Sequence, residues 1–258
     1  MFLSRKNIRH APCVAAEAGG DTRLGDGGKY RHLFFDLDHT LWDFEANSKA
    51  TLKELHTALH LGDRGVNDFD LFHKNYLQHN EKLWERYRKG YVKQEELRVK
   101  RMWLSLLDFK IADDELAQEM SVRFLDMLPR RTILFPYTTE ILEYLTHRRY
   151  ILHLITNGFE KTQHNKLMYS GLISFFKEVI TSEGSGSLKP NKEIFEFAFL
   201  KCGANPDESI MIGDSVEVDI LGAMNAGIDQ VFVNHLGIEP EIKPTYTVGS
   251  LKELESIF

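Results

Sequence analysis

The sequence predicts an α/β fold, a Rossmann-like doubly wound parallel sheet with an inserted helical cap, and three patterns predict it. Past Pro136, apolar strands alternate with amphipathic helices. Parallel strands need a crossover, and the crossover is normally a helix. Between residues 46 and 130 there is no strand pattern, and helical periodicity repeats instead. A short apolar strand at residues 31–35 precedes that stretch, so one core is begun, interrupted and resumed. In a chain of 258 residues, 43% hydrophobic and 27% charged, this gives a core over 29–45 and 131–258 with an insertion over 46–130.

Residues 1–28 combine Arg5, Lys6 and Arg9 with a short alanine patch and Gly19, Gly20, Gly25, Gly27 and Gly28. The apolar centre of a signal peptide is missing, and Glu17, Asp21 and Asp26 argue against an organellar transit peptide. A flexible leader without a catalytic role is expected. The strand at 31–35 then runs directly into Asp36 and Asp38.

Four helices are expected in the insertion. Leu52, Leu55 and Leu59 share one face; Phe69, Phe72, Tyr76, Leu83 and Tyr87 define the second helix. Leu97, Met102, Leu104 and Leu107 define the third, and Leu116, Met120, Phe124 and Met127 the fourth. Gly62, Gly65 and Gly90 punctuate the breaks, and Pro129 stops the last helix. Tyr76, Trp84, Tyr87 and Trp103 read as cap core, and Trp42 and Phe44 as hinge packing ahead of a base-stacking role. Beyond the insertion, helices are expected at 138–148, 161–170, 191–201 and 218–226, with strands at 150–155, 178–181, 209–212 and 230–233.

The charge balance is 32 basic against 38 acidic residues, a net −6 with pI near 6.0. The chain lacks the global basic field that binds nucleic acid polymers. Cys13 and Cys202 have no metal-ligand spacing and build no disulfide framework. No apolar run approaches the ~20 residues of a membrane helix, so the expected protein is soluble and cytoplasmic.

Ligands of open α/β sheets bind at the carboxyl ends of the strands. Four such ends carry Asp36 and Asp38, Thr156 and Asn157, Lys189, and Asp214 with Asp219. Carboxylates gathered at one point repel one another and imply a cation. Hard oxygen donors without histidine or cysteine favour Mg²⁺, and Asp36, Asp38 and Asp214 are the expected metal set. With a lysine and a hydroxyl beside it, such a site suits phosphate. Asp36, last on its strand, fits a nucleophile forming an aspartyl-phosphate. Asp38 is placed to protonate the leaving oxygen and then to accept a proton from water. Thr156, Asn157 and Lys189 are expected to bind the phosphate, while Asp219 and Ser215 support the site from behind.

The motifs themselves are Phe34-Phe35-Asp36-Leu37-Asp38-His39-Thr40-Leu41, Ile155-Thr156-Asn157-Gly158, Leu188-Lys189-Pro190, and Gly213-Asp214-Ser215 followed by Asp219. From about residue 31 onward the chain resembles the haloacid dehalogenase (HAD) superfamily of phosphohydrolases. That resemblance implies that the insertion is a C1 cap, which closes over the site and selects the substrate. The presence of Asp38 points away from a true dehalogenase, and the Asp-Lys-Thr-Gly of P-type ATPases is absent. The run Asp38-His39-Thr40-Leu41-Trp42-Asp43-Phe44, and Asp219-Ile220-Leu221-Gly222-Ala223 after the last motif, resemble the YjjG/YfnB-like branch of pyrimidine 5′-nucleotidases. A nucleoside monophosphate is therefore the implied substrate. A phosphatase of sugar phosphates, a β-phosphoglucomutase-like mutase and a catalytically silent binding relative are the alternatives.

Overall fold

The computed structural model describes residues 28–258. The leader read at 1–28 therefore lies, but for its last residue, outside the described residues, as does Cys13. The elements run β1 (His32–Phe35), α1 (Phe44–Ala58), α2 (Phe69–Arg88), α3 (Gln94–Leu107), α4 (Asp114–Met127), α5 (Thr138–His147), β2 (Ile151–Thr156) and α6 (Glu160–Tyr169). They continue through β3 (Glu178–Thr181), the short α7 (Ser182–Ser185), α8 (Lys192–Cys202), β4 (Ser209–Gly213), α9 (Leu221–Asn225), β5 (Asp229–Val233) and β6 (Tyr246–Val248). All six strands are parallel, in the order β3-β2-β1-β4-β5-β6.

β1 is buried along its whole length because helices cover both faces of the sheet, which is why it reads as an unbroken apolar run. Leu33 and Phe35 face a cluster that includes Ile141, Leu142 and Leu145 of α5, while Phe34 packs with Ile194, Phe195 and Ala198 of α8 on the other face. Phe35 registers with Leu154 of β2 on one side and Ile212 of β4 on the other. The chain order reverses about β1, so the crevice at the ends of β1 and β4 is the topological switch point where such sheets bind ligands.

Three of the four cap helices open on an aspartate. Asp43, Asp68 and Asp113 accept hydrogen bonds from the amides of Ala46, Leu71 and Leu116 at 2.8, 2.9 and 2.9 Å, satisfying donors that a helix start leaves free. The first of these helices begins at Phe44, two residues ahead of the expected insertion boundary. The chain enters and leaves the four helices through two crossing segments joined by a Trp42–Leu134 bridge. Buried Asn47 ties them further, donating to the carbonyls of Asp43 and Ile133 at 2.7 Å each and accepting from the Ile133 amide at 3.1 Å. The apolar cluster of Leu33 and Phe35 continues through Trp42 into Phe72, Tyr76 and Phe124 of the cap.

Besides the short α7, two elements differ from expectation. The helix expected at 218–226 is a π-helical turn, Val216–Ile220, followed by α9; such turns recur at functional sites because they re-aim a side chain. The strand β6 was not expected. It is three residues long with two of them exposed, and residues 234–245 reach it without a helix to mark the crossover. No helix of the described residues is long and apolar enough to cross a membrane.

Candidate active site

Asp36 extends β1 by one residue, its amide bonded to the Ile212 carbonyl at 2.9 Å, so the sheet itself fixes the carboxylate. The Lys189 side chain is buried and reaches it from the loop before α8. Its ammonium donates to Asp36 Oδ1 at 2.6 Å, to Asp219 Oδ1 at 2.6 Å and to the Ile155 carbonyl at 2.7 Å, which uses all three hydrogens. The Asn157 side chain holds this lysine in place: its Oδ1 accepts from the Lys189 amide at 2.7 Å and its Nδ2 donates to the Lys189 carbonyl at 2.8 Å. Both ends of the Asn157 amide thus hold the Lys189 backbone, and its Nδ2 keeps a second hydrogen to donate.

Asp214 follows β4 and accepts from the Thr40 hydroxyl at 2.9 Å. The π-helical turn brings Asp219 back beneath it, where Asp219 Oδ2 accepts from the Ser215 amide at 3.0 Å. Ser215 caps the turn, accepting from the Val218 amide at 3.2 Å. Gly213 is required here, because a Cβ at that position would collide with the Asp219 carboxylate. Gly158 meets the same constraint against the Gln163 side chain.

Oxygens of Asp36, Asp214 and Asp219 lie within 4.8 Å of one another. Burial pushes the Asp36 carboxyl well above its usual range, against the pull of Lys189. Burial, reinforced by Asp219, takes Asp214 up to about 7. For Lys189 burial works against the charge, but Asp219 and Asp36 outweigh it and the pKa rises. Three clustered carboxyl groups, Asp36 and Asp219 buried and Asp214 half-buried, offer hard oxygen donors beside one ammonium, a set that fits a small divalent cation. Asp219 is already committed to Lys189 and Ser215, which leaves Asp36 and Asp214 as the residues to hold it.

The side chain of Asp38, expected in the metal set, lies apart from this cluster, and Asp219 stands within it. The chain turns sharply after Asp38, with His39 at φ 65°, and the Asp38 side chain meets α6 instead. There Lys166 donates to its two oxygens at 2.6 and 2.8 Å, and Gln163 Nε2 donates to Oδ2 at 2.9 Å. Gln163 Nε2 also lies 2.6 Å from Thr156 Oγ1, which in addition accepts from the Gly158 amide at 3.1 Å and keeps its own hydrogen to donate. Burial lowers the Lys166 pKa, and Asp38 opposes the shift.

Thr40, Gln163 and Lys166 were not among the expected site residues. Gln163 and Lys166 lie three apart on the buried face of α6, and two polar residues on a face that should be apolar are the signal that marks them. Trp42 is fully buried, donates to the Arg131 carbonyl at 3.2 Å and lies 4.3 Å beneath the Lys166 ammonium. That is hinge packing rather than a platform for a base.

The family profile of haloacid dehalogenase-like hydrolases matches residues 30–227. The pyrimidine 5′-nucleotidase PynA of Streptococcus pneumoniae is 32% identical over 87% of this chain and 93% of its own. The pyrimidine 5′-nucleotidase YjjG of Escherichia coli is 32% identical over 89% of this chain and 98% of its own. A magnesium-bound crystal structure of the HAD hydrolase YfnB from Bacillus subtilis superposes with a TM-score of 0.80 at 28% identity, covering 89% of this chain and 99% of that one. With the motif residues gathered at the end of a parallel sheet and relatives matched along nearly their whole length, this chain belongs to the haloacid dehalogenase-like hydrolase family.

Proposed function

We propose that this chain hydrolyses pyrimidine nucleoside 5′-monophosphates through an aspartyl-phosphate on Asp36, with Mg²⁺ as cofactor. The observation that carries the phosphoryl chemistry is the single Lys189 ammonium shared between Asp36 and Asp219, with Asp214 alongside. It fixes a nucleophile by one oxygen and leaves Oδ2 uncommitted among the described residues. The nucleotide preference is supported by the two nucleotidases similar along most of the chain.

In this reading Asp36 Oδ2 attacks phosphorus, and the bond to the ester oxygen breaks as the acyl phosphate forms. Asp38 supplies the proton that the departing nucleoside oxygen takes up, then accepts one from the water that attacks the acyl phosphate. Inorganic phosphate leaves and the Asp36 carboxylate is restored. To do this Asp38 exchanges its bonds to Lys166 and Gln163 for the substrate. The Thr156 hydroxyl donates to a phosphoryl oxygen that does not transfer, and Lys189 offsets charge on the attacking carboxylate. Mg²⁺, held by Asp36 and Asp214, would neutralise phosphoryl charge when bound.

A panel of phosphate monoesters tests the assignment. Pyrimidine nucleotides are expected to show the highest kcat/KM; a leading preference for purine nucleotides or sugar phosphates would remove the nucleotidase reading while leaving the phosphatase. The Asp214 carboxyl predicts a second outcome. A proton bound up to about pH 7 competes with the cation, so Mg²⁺ affinity, followed by calorimetry, should rise as the pH passes from about 6 to about 8 with a proton released on binding. An affinity flat over that range contradicts the role given to Asp214.

A further inference from the structure

Between the site and the interior of the cap lie polar groups that the phosphoryl chemistry does not use. Tyr76 of α2 is fully buried, and its hydroxyl has no hydrogen-bond partner among the described residues. Arg101 of α3 is 3% exposed, and its Nε is likewise without a partner. Among the described residues its guanidinium hydrogen bond runs from Nη1 to Asn80 Oδ1 at 3.0 Å. Its guanidinium carbon lies 5.0 Å from the Phe124 ring centroid and 5.9 Å from that of Tyr76, and no described carboxylate forms an ion pair with it.

Burying a guanidinium without an anion, or a phenol without a partner, is costly, and native structures keep few such groups. Both groups sit on the faces that α2 and α3 turn to each other, where Arg101 bonds Asn80. Tyr76, Asn80 and Leu83 follow one another along one face of α2, and Leu97 and Arg101 along one face of α3. Phe159, directly after Thr156-Asn157-Gly158, is buried against Leu83 and Leu97 with the Trp84 ring stacked at 5.2 Å. The electrostatics agree with that placement. Burial and then Arg101 and Asp38 act on the Tyr76 phenol, which ends at about 12, and Arg101 is among the charges that lower Lys166.

We propose that Tyr76 and Arg101, the latter oriented by Asn80, form the cap subsite that reads an oxygen acceptor on the leaving group, the 2-carbonyl of a pyrimidine base. The Tyr76 O–H is a donor and the Arg101 Nε–H is donor-only, so the ligand must present a lone pair. Uracil, cytosine and thymine all carry a 2-carbonyl, and adenine does not. The assignment rests on the nucleotidase reading above and names the residues that would produce its preference. The polar atoms are held ready in the protein, and the substrate supplies what they lack. That is how a site built to hydrogen-bond one group rejects substrates without it.

The test compares UMP with ribose 5-phosphate, which lacks the base, and with phosphoglycolate, which offers a carboxylate instead. Tyr76→Phe should lower the ratio of kcat/KM for UMP to that for ribose 5-phosphate about fivefold, and Arg101→Met about thirtyfold, mostly through KM. Tyr76→Phe removes an unpartnered hydroxyl, so its melting temperature should equal or exceed that of wild type. Should Arg101→Met fail to fold, Tyr76→Phe and Arg101→Lys carry the same ratio. An unchanged ratio, or a Tyr76→Phe that loses stability without changing it, overturns the subsite and leaves the nucleotidase reading standing. A wild type that hydrolyses ribose 5-phosphate as well as UMP overturns the nucleotidase reading together with the subsite. A wild type that prefers phosphoglycolate overturns both in favour of a carboxylate ligand.

Discussion

Asp36→Asn should abolish turnover of every phosphate monoester, with a loss of about 10⁴-fold or more in kcat, while the protein still folds. An amide oxygen is a poor nucleophile toward phosphorus, and nothing else on β1 can replace it. The fold should survive because Asn keeps the size of the side chain and its Oδ1 still accepts from Lys189, while Asp219 continues to balance that ammonium. Circular dichroism and thermal melting check the fold, and release of inorganic phosphate from an aryl phosphate checks the chemistry. Activity near the wild-type level would remove the covalent mechanism.

Lys189→Met should be nearly as damaging to activity and far more damaging to stability. Lys189 is the shared partner of Asp36 and Asp219, and removing one member of a buried ionic group typically costs about 3–5 kcal/mol because the others stay buried and unpaired. Loss of a charge aimed at the reacting carboxylate should also lower kcat about 10²- to 10³-fold. The pH dependence has a definite sign. A carboxyl raised in the folded state contributes stability that is present below its unfolded pKa and lost as the pH rises through the folded one. Asp36 and Asp214 are already raised, the latter from 3.8 to about 7, and loss of the lysine raises its former partners further. The destabilisation should therefore be largest above about pH 7 and shrink in acid. Mg²⁺ should recover part of it by binding the folded state. A variant as stable as wild type at pH 8, with or without Mg²⁺, would show that Lys189 does not neutralise this cluster.

Much of this arrangement was legible in the sequence, because the strand ends announce themselves. β1, β2 and β4 are short apolar runs that stop at polar residues, and a parallel sheet places those stops on one edge; Asp36, Thr156, Lys189, Asp214 and Asp219 meet there. What stayed hidden depended on side-chain direction or on the absence of a marker. Spacing shows that Asp38 follows Asp36 by two residues, but not that the turn at His39 sends its carboxylate to Lys166 and away from Asp214. Gln163 and Lys166 sit on a helix whose buried face is partly polar, so its periodicity is weak. Asp219 is expected among the carboxylates, but the means that brings it there is a π-helical turn, which periodicity reads as ordinary helix. β6 is too short, and its crossover too irregular, to register. Asn157, expected as a phosphate ligand, also holds the Lys189 backbone from both sides of its amide, a contact that spacing does not show.

The claim on which the rest depends is that the phosphoryl group passes through Asp36. Mixing the protein with Mg²⁺ and a phosphate monoester, quenching in acid within a turnover and mapping peptides by mass spectrometry tests it most directly. A phosphoryl adduct on the peptide bearing Asp36, absent from Asp36→Asn, is the predicted result. Hydrolysis at the full rate with Asp36 unmodified, or with the adduct on another residue, would contradict it.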